Sequence, residues 1–227
     1  MPRARRPAPD VPSLFEAVAV SYEVGEIESW ARLRGIDVLL GVDEAGKGPF
    51  AGPVAAAAVV LPATFTLPGL RDSKRLSEAD RERLYPLIMD QALGYGIALE
   101  GADVIDAIGL QPATHRAMHR AMAAAFESAP KVGLVVVDGK NLIPGVVHPQ
   151  RAVVKGDDRC FAVAAASVLA KVTRDRHMVE QDALWPIYGF RVHKGYGTEA
   201  HRAALREHGP CPIHRRSFKG VVPLGGP

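Results

Sequence analysis

Apolar residues along the chain fall into two kinds of stretch: short unbroken runs, and longer segments with helical spacing. Positions 38–42 and 54–61 are unbroken runs. The first ends in Asp43-Glu44, and the second lies between Gly52-Pro53 and Pro62. Both predict buried strands. Positions 95–99, 132–137 and 151–154 predict three more, the last two running into Asp138-Gly139 and Lys155-Gly156-Asp157. A helix is predicted from Ser77, with Asp80 three residues on in the manner of a capping box, to about Gln91. Another covers 112–127, with Pro112 in its first turn and Ala117, Met118, Ala121, Met122 and Ala125 on its apolar side. Positions 161–182 read as a long helix, alanine-rich and then charged, and Thr198 caps a last helix to about Glu207. Leu14, Val18, Tyr22 and Ile27 suggest a helical preamble within 13–34. Strands and helices in mixed order predict an α/β fold, a mixed central sheet flanked by helices. The expected organisation is a flexible Pro/Arg-rich arm (1–12), a main domain (13–182), a small helical C-terminal segment (183–218) and a loose tail (219–227).

Acids end three of these predicted strands: Asp43-Glu44, Asp138 and Asp157. Sites in open α/β sheets form at the carboxyl ends of strands. Carboxylates gathered there repel one another unless a cation lies between them, and hard cations such as Mg²⁺ and Mn²⁺ prefer oxygen ligands. Two such ions about 3.5–4 Å apart suit in-line hydrolysis of a phosphodiester. Taken singly, each acid is more simply a loop residue; the four together point to a metal. Gly46-Lys47-Gly48 follows directly and would let the backbone approach a phosphate or sugar. The stretch from Gly41 to Gly48 nearly matches a P-loop, so a nucleotide hydrolase is an alternative. Against it, Gly48 stands where the Mg²⁺-binding hydroxyl belongs, Pro49 and Gly52-Pro53 oppose the helix that should follow, and Asp43 and Glu44 would face nucleotide phosphates.

Composition narrows the class without choosing it. The chain has 227 residues, 48% of them hydrophobic and 23% charged, which suits a globular protein with its own core. A net charge of +3 excludes a purely electrostatic nucleic-acid coat. The charge is uneven, however: between 191 and 220 seven basic residues stand against two acids, a segment suited to a duplex backbone. Cys160 and Cys211 cannot make a disulfide framework, no apolar run approaches the ~20 residues of a membrane helix, and Arg3, Arg5 and Arg6 lead into prolines rather than an apolar core. A cytoplasmic protein with no membrane attachment is expected. His115 and His119 read as a solvated helix face. His208-x-x-Cys211-x-x-His214 lacks a fourth zinc ligand, and Pro210 and Pro212 predict a rigid turn there.

Residues 41–54, Gly-Val-Asp-Glu-Ala-Gly-Lys-Gly-Pro-Phe-Ala-Gly-Pro-Val, closely resemble the N-terminal signature of ribonuclease HII. The resemblance continues in order through Asp72-Ser73-Lys74-Arg75-Leu76-Ser77, Val137-Asp138-Gly139, Lys155-Gly156-Asp157, the run 164–175 ending in Thr173-Arg174-Asp175, Gly195-Tyr196-Gly197-Thr198 and His214-Arg215-Arg216-Ser217-Phe218. The sister type, ribonuclease HIII, carries an extra N-terminal domain, and only 42 residues precede Asp43, which favours the HII type.

The resemblance implies an RNase H-like fold over 13–182 and a substrate-binding role for 183–218. It implies an endonuclease that hydrolyses the RNA strand of RNA–DNA hybrids and cuts 5′ of a single ribonucleotide in duplex DNA. Two Mn²⁺ or Mg²⁺ ions would serve it, leaving 3′-hydroxyl and 5′-phosphate ends. Asp43, Glu44, Asp138 and Asp157 would be the catalytic metal ligands, with Asp43 bridging both ions. Adjacent Asp158 competes for the fourth place, and the family spacing favours Asp157. Gly46, Lys47 and Gly48 would contact the sugar and phosphates around the 2′-hydroxyl. Tyr196 would pack on the deoxyribose after the ribonucleotide; a loop tyrosine capping the core is the plainer alternative. Ser73, Lys74 and Lys171 are candidate nucleic-acid contacts, whereas Ser167 reads as a small packing residue and Asp175 as structural or ion-paired. A monomer is implied, with no legible protein partner, acting in DNA replication and ribonucleotide excision repair. A catalytically silent hybrid-binding module would need damaged acids, and all four are present.

Overall fold

The computed structural model describes residues 24–129 and 131–221. The arm (1–12), the preamble positions Leu14, Val18 and Tyr22, and the tail beyond Val221 lie outside the described residues. Two long strands, β1 (Val38–Ala45) and β2 (Val54–Pro62), pair antiparallel, with Val38 opposite Pro62 and Ala45 opposite Ala55. β3 (Gly94–Glu100) adds antiparallel outside β2. On the other side of β1, β4 (Leu134–Asp138) and β5 (Gln150–Val153) add in parallel, so the sheet runs β3-β2-β1-β4-β5. A strand covered on both faces reads as an unbroken apolar run, and β2 is buried at every position from Val54 to Leu61.

The helices are α1 (Glu26–Arg32), α2 (Glu78–Gln91), α3 (Ala102–Ile108), α4 (Leu110–Ser128), α5 (Phe161–Leu184), α6 (Phe190–His193) and α7 (Glu199–His208). The predicted caps are present: Ser77 accepts the Asp80 N–H at 3.1 Å, and Thr198 accepts that of His201 at 3.3 Å. Short α3 and α6 go beyond the sequence prediction, because one or two turns carry too little periodicity to read. Gly48 leads through a bend into β2 rather than into a helix, which removes the P-loop alternative.

Side chains alternate across the sheet. Leu39, Ala57, Val59, Leu61 and Val136 face α5 and α2, while Leu40, Val42, Ala56, Ala58 and Val60 face α4. Small residues draw both helices close. A Cβ on Gly41 would lie 2.1 Å from the Ala162 carbonyl carbon of α5, and one on Gly96 would lie 2.1 Å from the Ala121 oxygen of α4. A methyl group at either position would push a helix off the sheet.

A third apolar cluster, including Ala51, Met178, Tyr188, Phe190, Leu205 and Cys211, joins the C-terminal segment to α5 and to the β1–β2 connection. This packing continues to Val221, which is buried, so the packed body extends past the expected start of the tail at 219. It also changes the basic segment. Arg215 is fully buried, Arg206 pairs with Glu199 and Arg191 with Asp182, so less of its positive charge is free than the sequence suggests. No helix among the described residues is long and apolar enough to cross a membrane.

Candidate active site

Parallel pairing of β1 with β4 sets Val42 beside Val137, which brings Asp43 and Asp138 together at the same end of the sheet. Asp157 arrives by a different route from the one its sequence suggested. β5 stops at Val153, the chain turns with Lys155 at φ 55°, and Asp157 lies in a short 3₁₀ turn, Gly156–Asp158. The Gly156 N–H donates to Asp138 Oδ1 at 2.8 Å and pins that turn to β4. One carboxylate oxygen from each of Asp43, Asp138 and Asp157 lies within 4.8 Å of the other two. Asp158 pairs with Arg75 at 3.0 Å, which favours Asp157 in the cluster.

Burial, together with the charges of Glu44 and Asp138, holds Asp43 well above the usual carboxylate range. Burial, then Asp138 and Asp72, pushes Asp157 up to about 6. These carboxylates lie closer together than their charges favour, a cost that a divalent cation would offset. Their all-oxygen donor set fits Mg²⁺ or Mn²⁺. Glu44 does not join the triad. As the next residue along β1 it projects to the opposite face, where its carboxylate pairs with Lys47 at 2.7 Å and borders a smaller cleft with His115 and Lys140.

The candidate nucleic-acid contacts lie with this cluster. A cleft of about 250 Å³ is lined by Asp43, Glu44, Asp138, Gly46, Lys47, Gly48, Ser73, Lys74, Lys171 and Tyr196. Lys74 Nζ lies 3.3 Å from Asp157 and 3.8 Å from Asp72. Burial alone would lower its pKa, but the charges of Asp157, Asp72 and Asp43 prevail and raise it. Lys171 Nζ donates to Asp175 at 2.8 Å, as the ion-paired reading of Asp175 expected. Ser167 does more than pack: its hydroxyl donates to Ser73 Oγ at 2.6 Å and accepts the Ser73 N–H at 3.3 Å, tying the Ser73–Arg75 turn to α5. Tyr196 is 45% exposed, with its ring beside Gly48, where a Cβ would lie 3.7 Å from it.

Two buried arginines, neither assigned a role from the sequence, hold this loop. Arg215 donates to the carbonyls of Gly46, Lys47 and Gly52 at 2.6, 3.1 and 2.9 Å, which fixes the side of the loop that faces the protein. Arg174 donates to Pro53, Ala51 and Lys194 carbonyls at 3.0, 3.2 and 3.0 Å. Gly46 has φ +89°, and a Cβ there would lie 2.0 Å from Arg174 Nε, so only glycine fits. Both arginines stand in motifs quoted above, but their partners are backbone carbonyls, which leave no mark in a side-chain pattern.

A mixed sheet in this order, with carboxylates at the adjoining ends of β1 and β4, places the chain among proteins of the RNase H-like fold. Ribonuclease H2 of Pyrococcus horikoshii OT3 superposes with a TM-score of 0.67 at 25% identity, covering 81% of this chain and 95% of that one. The ribonuclease HII of Archaeoglobus fulgidus, solved in complex with PCNA, gives 0.66 at 24%, covering 80% and 95%. The family model for ribonuclease HII matches residues 40–221, and the chain belongs to that family. Ribonuclease HII of Syntrophotalea carbinolica is 51% identical over 188 residues, 83% of this chain and 88% of that one. The Chloroflexus aurantiacus relative, also a ribonuclease HII, is 49% identical over 201 residues, covering 86% and 93%. The chain is accordingly an enzyme, a metal-dependent hydrolase that cuts the RNA strand of RNA–DNA hybrids.

Proposed function

We propose that Asp43, Asp138 and Asp157 hold the catalytic metal ions of an endonuclease that also cuts 5′ of a single ribonucleotide in duplex DNA, with Glu44, which pairs with Lys47 but lines the same cleft, as the fourth acid. The observation that carries this reading is the carboxylate triad, in which burial and the charges of neighbouring acids push up the pKa of Asp43 and of Asp157. Two Mn²⁺ or Mg²⁺ ions bound there would supply the charge that activates the attacking water and stabilises the leaving 3′-oxygen, giving 3′-hydroxyl and 5′-phosphate ends. The residues around the triad read the substrate. Gly46, Lys47 and Gly48, held from behind by Arg215, present backbone to the 2′-hydroxyl, the group that separates RNA from DNA. Tyr196, beside Gly48, packs on the next deoxyribose. Ser73, Lys74 and Lys171 line the same cleft and meet phosphates. The enzyme acts as a monomer in the cytoplasm, in DNA replication and ribonucleotide excision repair.

The test is cleavage of a DNA duplex carrying one ribonucleotide, with Mg²⁺ or Mn²⁺ and no nucleoside triphosphate. The wild type cuts 5′ of the ribonucleotide, and Asp43→Asn loses more than about a hundredfold in rate, beyond the effect typical of groups that merely orient metal ligands. Wild-type-like cleavage by Asp43→Asn overturns the assignment.

A further inference from the structure

Behind Tyr196, two fully buried histidines meet. His201 Nε2 and His214 Nε2 lie 2.9 Å apart, with Tyr188 and Phe190 packed around them and His193 stacked on His201 at 4.5 Å between ring centroids. Their neighbours fix every proton. The Tyr196 carbonyl can only accept, so His201 Nδ1, 2.9 Å from it, carries hydrogen. The Cys211 backbone N–H donates to His214 Nδ1 at 3.0 Å, so that nitrogen carries none, and the Cys211 thiol lies 3.1 Å from it. Neutral His214 therefore has its hydrogen on Nε2 and donates to the bare Nε2 of His201. Protonating either ring would set two N–H groups against each other. Burial, followed by His201, holds His214 down at about 4, and burial lowers His201 as well, which keeps both rings neutral near pH 7.

The chain of bonds thus runs one way: Cys211 N–H to His214, His214 to His201, His201 to the Tyr196 carbonyl. We propose that His201 and His214 are positioning residues for substrate reading, holding the loop that presents the Tyr196 ring beside Gly48. The inference rests on the reading of Tyr196 as the residue that meets the RNA–DNA junction. The rest of the loop is pinned at its other end. The Gly195 N–H donates to His193 Nδ1 at 3.2 Å, and the Gly195 carbonyl accepts from Phe50 N–H at 2.8 Å. On the far side of the ring, only the Thr198 N–H, at 2.8 Å, shares the Tyr196 carbonyl with His201 among the bonds of the described residues.

Three variants test this: His201→Asn, whose amide nitrogen can replace Nδ1; His201→Gln, which reaches toward His214 but lacks that donor; and Tyr196→Ala. Each is assayed on a single-ribonucleotide duplex and on a long RNA–DNA hybrid, the hybrid reporting that the variant is folded. We expect His201→Gln to lose about five- to tenfold in preference for the single ribonucleotide, the worth of one hydrogen bond, and His201→Asn to stay within about twofold of wild type. Long-range ¹H–¹⁵N spectra of the wild type should show hydrogen on His201 Nδ1 and on His214 Nε2. Equal loss on both substrates, Asn as damaging as Gln, or hydrogen on His201 Nε2 overturns the proposal. If Tyr196→Ala keeps the wild-type preference, the reading of Tyr196 falls instead. Amide exchange at Thr198 then decides the positioning role: faster in the Gln variant than in the Asn variant upholds it, and no difference overturns it.

Discussion

Lys74 Nζ lies 3.3 Å from the Asp157 carboxylate and 3.8 Å from that of Asp72, so a largely exposed cation covers the carboxylate cluster from the solvent side. Burial works to lower its pKa, and the charges of Asp157, Asp72 and Asp43 together outweigh burial and raise it. Removing it should make the metal-free protein more dependent on metal. In chelator, Lys74→Ala should melt about 1–3 °C below wild type, a small effect because the ammonium is largely exposed. Added Mn²⁺ should then stabilise the variant more than the wild type. Thermal melts with and without Mn²⁺ check both halves; an equal metal-induced gain in the two proteins would contradict the idea.

The cost of charging Asp43 leads to an unusual stability effect. Its folded pKa is raised, so its charged form opposes folding once the pH rises above the unfolded value of about 3.9. An asparagine has nearly the same shape and still accepts the Glu44 N–H, now 2.7 Å from Asp43 Oδ1. In chelator at pH 7.5, Asp43→Asn should be at least as stable as wild type, although most buried substitutions destabilise. Urea unfolding measures this, and a loss above about 1 kcal/mol would count against the strained-cluster reading.

Arg215 shows the opposite balance. Its guanidinium is buried without an ion pair among the described residues, and the carbonyls of Gly46, Lys47 and Gly52 accept its hydrogen bonds. Burial lowers its pKa to about 9, so it remains charged at neutral pH. Arg215→Met leaves two buried carbonyls and one partly buried carbonyl without this donor and should cost on the order of 3 kcal/mol. Lysine, a single ammonium without the planar fork, should recover only part of that loss. Chemical denaturation of the two variants provides the comparison.

Acid should loosen the C-terminal segment. His214 is surrounded by His201, His193, Cys211, Tyr188 and Arg216, and its pKa falls to about 4, mainly through burial. Unfolded, it titrates near 6.5. Between these values the unfolded chain binds more protons than the folded one, so stability falls as pH drops from 6.5 toward 4, by on the order of 3 kcal/mol in all. The contribution is complete above 6.5. Urea midpoints measured from pH 7.5 down to 4.5 should decline in the wild type and decline less in His214→Gln.

Much of the site was legible because it lies where strands stop. The unbroken runs over 38–42, 54–61 and 132–137 mark β1, β2 and β4, and the acids that follow the first and third mark the cluster. The motif points to Asp157, but the residue sits on a 3₁₀ turn set by Lys155 and Gly156 rather than on a strand end. The role of Ser167 is not legible in its own stretch, because its partner, Ser73, is 94 residues away.

Local pattern therefore determined the strands and the longer helices, that acids gather at one end of the sheet, and that Gly46-Lys47-Gly48 adjoins them. Burial and periodicity act over a few residues and leave their trace in composition. Only tertiary structure decided that Asp43 joins Asp138 and Asp157 while Glu44 turns to Lys47, since strand alternation sends neighbours to opposite faces and only the register with β4 shows which face holds the cluster. It likewise decided that Arg215 and His214 face inward. A basic or titratable side chain looks the same in sequence whether it meets solvent, phosphate or a buried carbonyl, and the long-range packing that chooses among these is not a property of any local stretch.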